Sequence, residues 1–458
     1  MRFLVTLVST PLAAATLVAQ SPVAKRPITQ DDYDRWRTIG APILSPDGRW
    51  AAWTESPVVG DGELFVREKQ GARVVRLARG WTGRPVTTLT DSAFTAPPAQ
   101  FSSDGRWLAA LTYAPHAAFE RARTARPRQP APRPSLVLVA LGGPDSLPAL
   151  TVPRVRSFRF PEKAATVLAY LLDGDSAAAP ATRGRTAPDS AVADSGRRPA
   201  PRQYGTPLVV RTLATGAEVR IADVTGYVLD PQGRWLAYTV GSRANQRDGA
   251  WVRDLATGTE TPLATGIGNY RALVTNREGS RVAFASDRDE YARSSTPRLG
   301  LWLADVGRAA AAVRVVAPEQ FGDSLRVSDR GLAFTRDGGT LLFGVGRVLP
   351  DSIPADSPAD KAIVDVWHWR DARLQPQQRL EARRDRERAV TAVYRIAEKR
   401  ARVLGTDTIP QVQLSDDGRT GLATTSVPYE ASRLWGDDGQ DVVVVDAARV
   451  DEAAVARA

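Results

Sequence analysis

The chain has 458 residues, of which 43% are hydrophobic, so it can bury a large core and is not a disordered polypeptide. It has no cysteine and only two histidines, His116 and His368, which excludes disulfides, a thiol nucleophile and thiolate metal sites. The formal charge is +10, but all but five of the 61 cations are arginines spread along the chain among Asp and Glu, so the basicity does not mark a nucleic-acid partner.

Residues 1–20 read as an export signal: Arg2, then the apolar stretches Phe3 to Val8 and Pro11 to Val18, with small residues at Ala13, Ala15 and Ala19. The apolar run is short and holds Thr6, Ser9 and Thr10, so a retained anchor is the weaker reading, and no other segment is apolar enough to span a bilayer. The expectation is an exported, periplasmic or extracellular protein with no membrane contact after cleavage. Residues 21–43 form a linker and a short helix, with Thr29 as cap and Asp31 and Asp32 in the first turn.

From Leu44 one pattern recurs. Leu44-Ser45-Pro46-Asp47-Gly48-Arg49-Trp50 returns at Phe101 to Trp107, at Leu229 to Trp235 and at Leu414 to Thr420. Looser copies begin at Thr275 and Phe334, and a degenerate one runs from Phe158 through Val167-Leu168-Ala169-Tyr170. Each copy is an apolar run, a Pro/Asp/Gly cluster and a second apolar run, the signature of two buried strands joined by a tight turn. A second kind of hairpin alternates with it, as at Leu208 to Val219 and Trp251 to Glu260; Leu301 to Asp305, Val364 to Trp369 and Asp441 to Asp446 occupy the same slot.

One hairpin of each kind makes a four-stranded unit. The turn glycines Gly48 and Gly105, Gly233 and Gly279, and Gly279 and Gly338 lie 57, 46 and 59 positions apart, somewhat longer than a propeller repeat of about 40–45 residues and consistent with one carrying loop insertions. The fold expected is therefore all-β: a β-propeller of about seven four-stranded units over residues 44–447, the last incomplete, with 448–458 a tail. Mobile insertions are expected at 119–134, 173–203, 349–360 and 375–388, the last helical or irregular.

No catalytic chemistry is legible. There is no Gly-x-Ser-x-Gly elbow; the near misses around Ser176 and Ser324 lack the second glycine. His116 lies past a strand end and His368 lies between Trp367 and Trp369 in an expected strand, and both read as structural. The Asp-Gly-Arg repeats read as turns rather than calcium loops, since such a loop needs several acids within a dozen residues. Trp50, Trp107 and Trp235 recur at one repeat position and read as core. No catalytic, cofactor-binding or metal residue is assigned, and no cofactor is expected.

The Ser-Pro-Asp-Gly-Arg-Trp copies resemble the propeller repeats of the prolyl oligopeptidase and dipeptidyl peptidase group of serine peptidases (family S9), and are similar to those of TolB-like propellers. Ile28 to Arg37 followed by Leu44 to Trp50 resembles the mature N-terminus of exported bacterial members, and Val364 to Gln378 resembles another of their segments. The likeness covers residues 28–447. It implies a propeller that covers a C-terminal α/β-hydrolase domain with a Ser-Asp-His triad acting on short peptides. After Val445 the chain runs from Asp446 to Ala458, so the expectation is a member truncated or split before the hydrolase domain and inactive alone. No family catalytic residue carries over, and no counterpart of the Glu-Glu pair that holds a substrate amino terminus is found. The partners implied are peptides or a peptidase catalytic domain; the alternative is a free-standing periplasmic TolB-like propeller that binds protein or peptide.

Overall fold

The computed structural model describes residues 27–33, 36–58, 60–82, 99–127, 129–142, 148–174, 202–244, 247–294, 296–307, 311–348, 368, 371, 373–432, 436, 439–448 and 455–457. The expected export signal and most of the insertions at 173–203 and 349–360 lie outside these residues. No described helix is long and apolar enough to cross a membrane.

The described strands form seven four-stranded antiparallel units, the blades of a β-propeller. The first holds β1 (Arg37–Leu44), β2 (Trp50–Pro57), β3 (Gly62–Glu68) and β4 (Val74–Gly80). The second holds β5 (Ala99–Phe101), β6 (Trp107–Thr112), β7 (Ser135–Ala140) and β8 (Pro148–Val152). The third is β9 (Val155–Arg159), β10 (Val167–Leu172), β11 (Thr206–Thr212) and the first half of β12 (Glu218–Leu229). The fourth takes the second half of β12 with β13 (Trp235–Val240), β14 (Gly249–Asp254) and β15 (Glu260–Thr265). β12 pairs with β11 up to Val224 and with β13 from Val224 onwards, so these two blades share one strand without a break.

The fifth blade is β16 (Tyr270–Thr275), β17 (Arg281–Ser286), β18 (Gly300–Asp305) and β19 (Val313–Val316). The sixth is β20 (Leu325–Phe334), β21 (Thr340–Arg347), β22 (Ala389–Arg395) and β23 (Arg400–Val403). The seventh is β24 (Val412–Leu414), β25 (Thr420–Thr425), β26 (Asp441–Asp446) and β27 (Val455–Arg457). Three helices complete the described elements: α1 (Gln30–Tyr33), α2 (His116–Thr124) and α3 (Gln375–Arg386).

The recurring turn has one construction. In the first blade Ser45 Oγ donates to Asp47 Oδ1 (2.5 Å) and accepts from the Trp50 N–H (2.9 Å), while Asp47 Oδ1 also accepts from the Arg49 N–H (3.1 Å). Gly48 alone takes a positive φ, +70°, and its N–H returns to the Ser45 carbonyl. This is a longer turn than a two-residue type I′ hairpin, in which both central residues would need positive φ. The same bonds recur around Ser102, Thr335 and Ser415. In the fourth and fifth blades Asp230 and Asn276 replace the hydroxyl and accept from the N–H groups beyond the turn. These residues are therefore turn caps; all but the exposed Ser415 are buried, and burial costs them little because each is hydrogen-bonded.

Between successive blades lie six apolar clusters, the first joining Trp50, Leu64 and Val66 to Phe101, Leu108 and Val139. Trp50 and Trp235 are buried in them and Trp107 packs at the edge of another, which bears out their reading as core.

Four details differ from the sequence reading. Arg37–Leu44, expected as linker up to residue 43, is the first strand of the first blade and pairs along β2. The seventh blade is not short of a strand: Val455–Arg457, inside the expected tail, pairs with Val443, Val444 and Val445 as its outermost strand. The third strand of the sixth blade is Ala389–Arg395, in register with β21; the stretch from Val364 to Trp369 expected in that slot lies, His368 apart, outside the described residues. His368 accordingly lies in a turn, its N–H donating to Asp371 Oδ2 and its carbonyl accepting from the Asp371 N–H. Finally, part of the 119–134 insertion is the helix α2, while 375–388 is largely α3, the helical one of the two forms expected for it.

Candidate functional site

Strand direction decides which connections share a rim. In every blade the first-to-second and third-to-fourth connections lie at one end of the sheet, and the second-to-third connection lies at the other. The Asp-Gly turns and the Thr-Gly turns at 215–216 and 257–258 occupy the first end. The segments 113–134, 173–205, 241–248, 287–299 and 348–388 are all second-to-third connections. Every long connection therefore gathers on one rim. Three side-chain groupings stand there.

The first is a cleft of about 600 Å³ between α3 and the seventh blade. Arg373 spans its wall, donating to Glu381 Oε2 (2.7 Å) and Asp385 Oδ2 (2.9 Å), which raises its pKa further. The Arg373 hydrogen bond in turn holds the Glu381 carboxyl below its usual range. Burial works to raise Asp385, but Arg373 and Arg388 outweigh it and keep it ionised. Glu430 faces the same cleft, half-buried and without an ion pair or side-chain hydrogen bond among the described residues. Thr408, Thr424 and Ser426 add hydroxyls. The cleft is a polar slot lined by both signs of charge. It holds donors and acceptors for a peptide backbone or its charged ends, and no histidine lines it.

The second grouping pins the far end of the 173–203 insertion to the fourth and fifth blades. Asp287 accepts from the Asn269 N–H (2.6 Å) and Nδ2 (2.8 Å), and Asn269 Oδ1 accepts from the Gln203 N–H (2.9 Å). Beside it Arg202 pairs with Asp248, whose side chain is 1% exposed and whose Oδ1 accepts from the Ser242 N–H. Tyr204 lies at the surface between two guanidiniums, with Arg243 4.7 Å and Arg202 5.5 Å from its ring centre. Burial raises the pKa of neighbouring Tyr291, with the Arg202 charge opposing it and the Asp287 charge adding to it.

The third surrounds His116, the first residue of α2. Asp61 of the first blade accepts from its backbone N–H (2.7 Å), so the helix cap comes from another blade. The imidazole packs 4.7 Å from the Trp81 ring, Phe119 packs 5.0 Å from the same ring, and Nε2 stands 3.7 Å from Glu120. His116 is thus a packing residue at a helix start. Among the near misses, Ser324 is exposed in the loop before β20, on no strand-to-helix elbow; Ser176 lies outside the described residues. No group of metal-ligating side chains occurs among the described residues. Nothing in the sequence flagged Arg202, Asp248 or Asn269, because their partners are far along the chain and no spacing rule links them.

No protein-family model matches this chain, and no curated protein sequence does. Among solved structures it is similar to a eukaryotic initiation factor, with 11% identity over 89% of this chain and 75% of that one, TM-score 0.43. It is similar to a prolyl endopeptidase, with 11% identity, 92% of this chain, 49% of that one and TM-score 0.42. It is also similar to the β-propeller domain of the Trilobed protease from Pyrococcus furiosus, with 8% identity, 92% of this chain, all of that one and TM-score 0.36. The chain spans about half the length of the prolyl endopeptidase.

Proposed function

We propose that the chain is the substrate-gating and substrate-binding propeller of an exported S9-type serine peptidase, working beside an α/β-hydrolase domain. The observation that carries this is the asymmetry of the two rims: one bears only short turns, and the other gathers every long loop, both longer helices and the polar cleft. A rim built this way is a docking face, since loops on a rigid scaffold are where binding residues are placed. The cleft's mixed carboxylates, guanidiniums and hydroxyls suit an extended peptide with charged ends. The 458 residues hold no Gly-x-Ser-x-Gly elbow, so in this reading bond cleavage belongs to the hydrolase domain and the propeller supplies selection and shielding.

The test is to read the DNA downstream for a segment encoding a Gly-x-Ser-x-Gly hydrolase domain and to produce the chain alone and with that segment. The expected result is release of p-nitroaniline from proline or alanine substrates by the pair and none by the chain alone. A hydrolase segment that neither co-purifies with the chain nor gains activity from it would sink the reading. A gene with no such segment, encoding a protein that binds a folded partner, would favour the free-standing TolB-like alternative.

A further inference from the structure

The charges lining the cleft beside α3 are not all engaged with one another. Arg373 is committed to Glu381 and Asp385, Arg384 pairs with Glu381 Oε1 (2.9 Å), and Arg388 pairs with Asp385 Oδ1 (2.9 Å). Asp407 pairs with Arg347. Glu430 is left over. Arg373 feels its charge, the weakest of the influences on that guanidinium, yet no cation among the described residues forms an ion pair with it. A half-buried carboxylate without a partner has lost water on one side and gained no donor in exchange, so a ligand that brings donors is favoured there.

Glu430 is also held in place. It follows the single helical turn Val427–Tyr429, and its N–H returns to the Val427 carbonyl. Tyr429 ties that turn to the seventh blade, its hydroxyl donating to Asp441 Oδ1 (2.7 Å) at the start of β26. A Cβ on Gly439 would stand 2.4 Å from the Tyr429 ring, so glycine leaves the room this anchor needs. The cleft offers two further kinds of surface. Val427, 44% exposed, and Pro410 are apolar, while Thr408, Thr424 and Ser426 carry hydroxyls that accept hydrogen bonds.

We propose that Glu430 receives a basic side chain, lysine or arginine, of a bound peptide. The inference rests on reading this rim as a peptide-binding face, and it names what that face selects. The methylene stem of the side chain lies along Val427 and Pro410, its charged head meets Glu430, and the hydroxyls take the remaining N–H donors. The stem separates this ligand from a peptide amino terminus, whose ammonium sits directly on the backbone and leaves the apolar wall bare. An acidic side chain is rejected, because it would set a second carboxylate beside an unpaired one.

The test titrates the chain alone, by calorimetry, with C-terminally amidated peptides. They are acetyl-Ala-Ala-Lys-Ala, its arginine and norleucine counterparts, and the norleucine peptide with a free amino terminus. The lysine or arginine peptide is expected to bind about tenfold or more tightly than acetylated norleucine, the gain from one charge-assisted contact, and comparing the two basic peptides ranks the heads. Glu430→Gln keeps the shape and strands no partner, so it should cut that preference to about twofold or less and leave Tm unchanged. Tyr429→Phe frees the turn from Asp441 and should lower the preference while leaving norleucine affinity as it is. The proposal is overturned if neither basic peptide is preferred, if the preference survives Glu430→Gln, or if the free-amine norleucine peptide binds as tightly as the better basic one. Because the chain is used alone, such a failure leaves pairing with a hydrolase domain untouched, and failure of that pairing leaves these affinities as measured.

Discussion

The Asp47 carboxylate lies against the α-carbon of Gly105, one blade away, so closely that a Cβ there would stand 2.7 Å from both of its oxygens. Asp47 is itself held by Ser45 and the Arg49 N–H, and the Ser45 hydrogen bond keeps its carboxyl below the usual range. The aspartate thus cannot retreat without breaking its own turn. Gly105 also has φ of +67°. Two costs coincide, strain in the left-handed region and collision with a fixed carboxylate.

Gly105→Ala should therefore destabilise the fold by about 1–3 kcal/mol. Gly142, with nothing within 4 Å of its Cβ position and no positive φ, is the control, and Gly142→Ala should stay within about 0.5 kcal/mol. Urea unfolding of the two variants beside the parent separates the cases. Equal effects would mean that the turn-to-turn contact does not constrain the rim.

This contact also shows what the sequence makes legible. The Ser-x-Asp-Gly pattern is visible because the turn chemistry demands those side chains, and the fourth and fifth blades stay visible because Asp230 and Asn276 perform the same capping. The third blade has lost the turn signature, yet Val167 to Tyr170 betrays its buried strand by apolar content alone. The outermost strand of the seventh blade was not legible: three residues, Val455–Arg457, carry no periodicity, and pairing to β26 decides their state. Helix α2 was hidden by its arginines, and its cap comes from Asp61, 55 residues earlier. The candidate cleft was not legible either. Its walls, α3 and the β25–β26 connection, are separated in sequence by β22 to β25 and meet only because the sixth and seventh blades are neighbours.

Asp248 tests the insertion anchor. Its carboxylate is buried with Arg202, and the Ser242 N–H donates to Oδ1 at 2.7 Å. Replacing one member of a buried pair strands the other charge, so Asp248→Ala should cost about 3–5 kcal/mol. The double change Arg202→Met with Asp248→Leu should recover most of that loss, because an apolar pair needs no compensating charge. Chemical denaturation of the three variants decides it: if the double variant is no better than the single, the cost lies in the Ser242 loop and not in the stranded arginine.

Tyr227 predicts the alkaline limit. It is buried, its hydroxyl reaches the Ala169 carbonyl at 3.4 Å, and burial pushes its pKa up to about 12 from 10.0, with Ser157 and Arg159 acting in the opposite direction. The ionised phenolate is disfavoured in the fold, so this stability is fully present below pH 10 and is lost as the pH climbs towards 12. Tyr227→Phe cannot ionise and should flatten the fall in stability over that window, while changing neutral-pH stability by only about 1 kcal/mol. Denaturant titrations at a series of pH values up to 12 provide the check, and an unchanged slope in the variant would rule this tyrosine out as a contributor.

The acid limit has a different source on the first blade. Glu63 accepts from Arg76 Nη2 (2.6 Å) and Arg37 Nη1 (2.6 Å), and these bonds, Arg76 first, bring its pKa down to about 2 from 4.5. A depressed carboxyl stabilises the fold above its unfolded value, so the contribution is complete above pH 4.5 and disappears as the pH falls towards 2. The partners are solvent-exposed, which screens the interaction and limits it to about 1 kcal/mol. Glu63→Gln should remove this part of the acid limb and leave a shallower stability loss between pH 4.5 and 2. Raising the salt to about 1 M, where the Debye length is near 3 Å, should bring the parent close to the variant. Parallel acid titrations followed by tryptophan fluorescence at low and high salt measure both effects, and a parent insensitive to salt would show that the two arginines do not set this carboxyl's affinity for its proton.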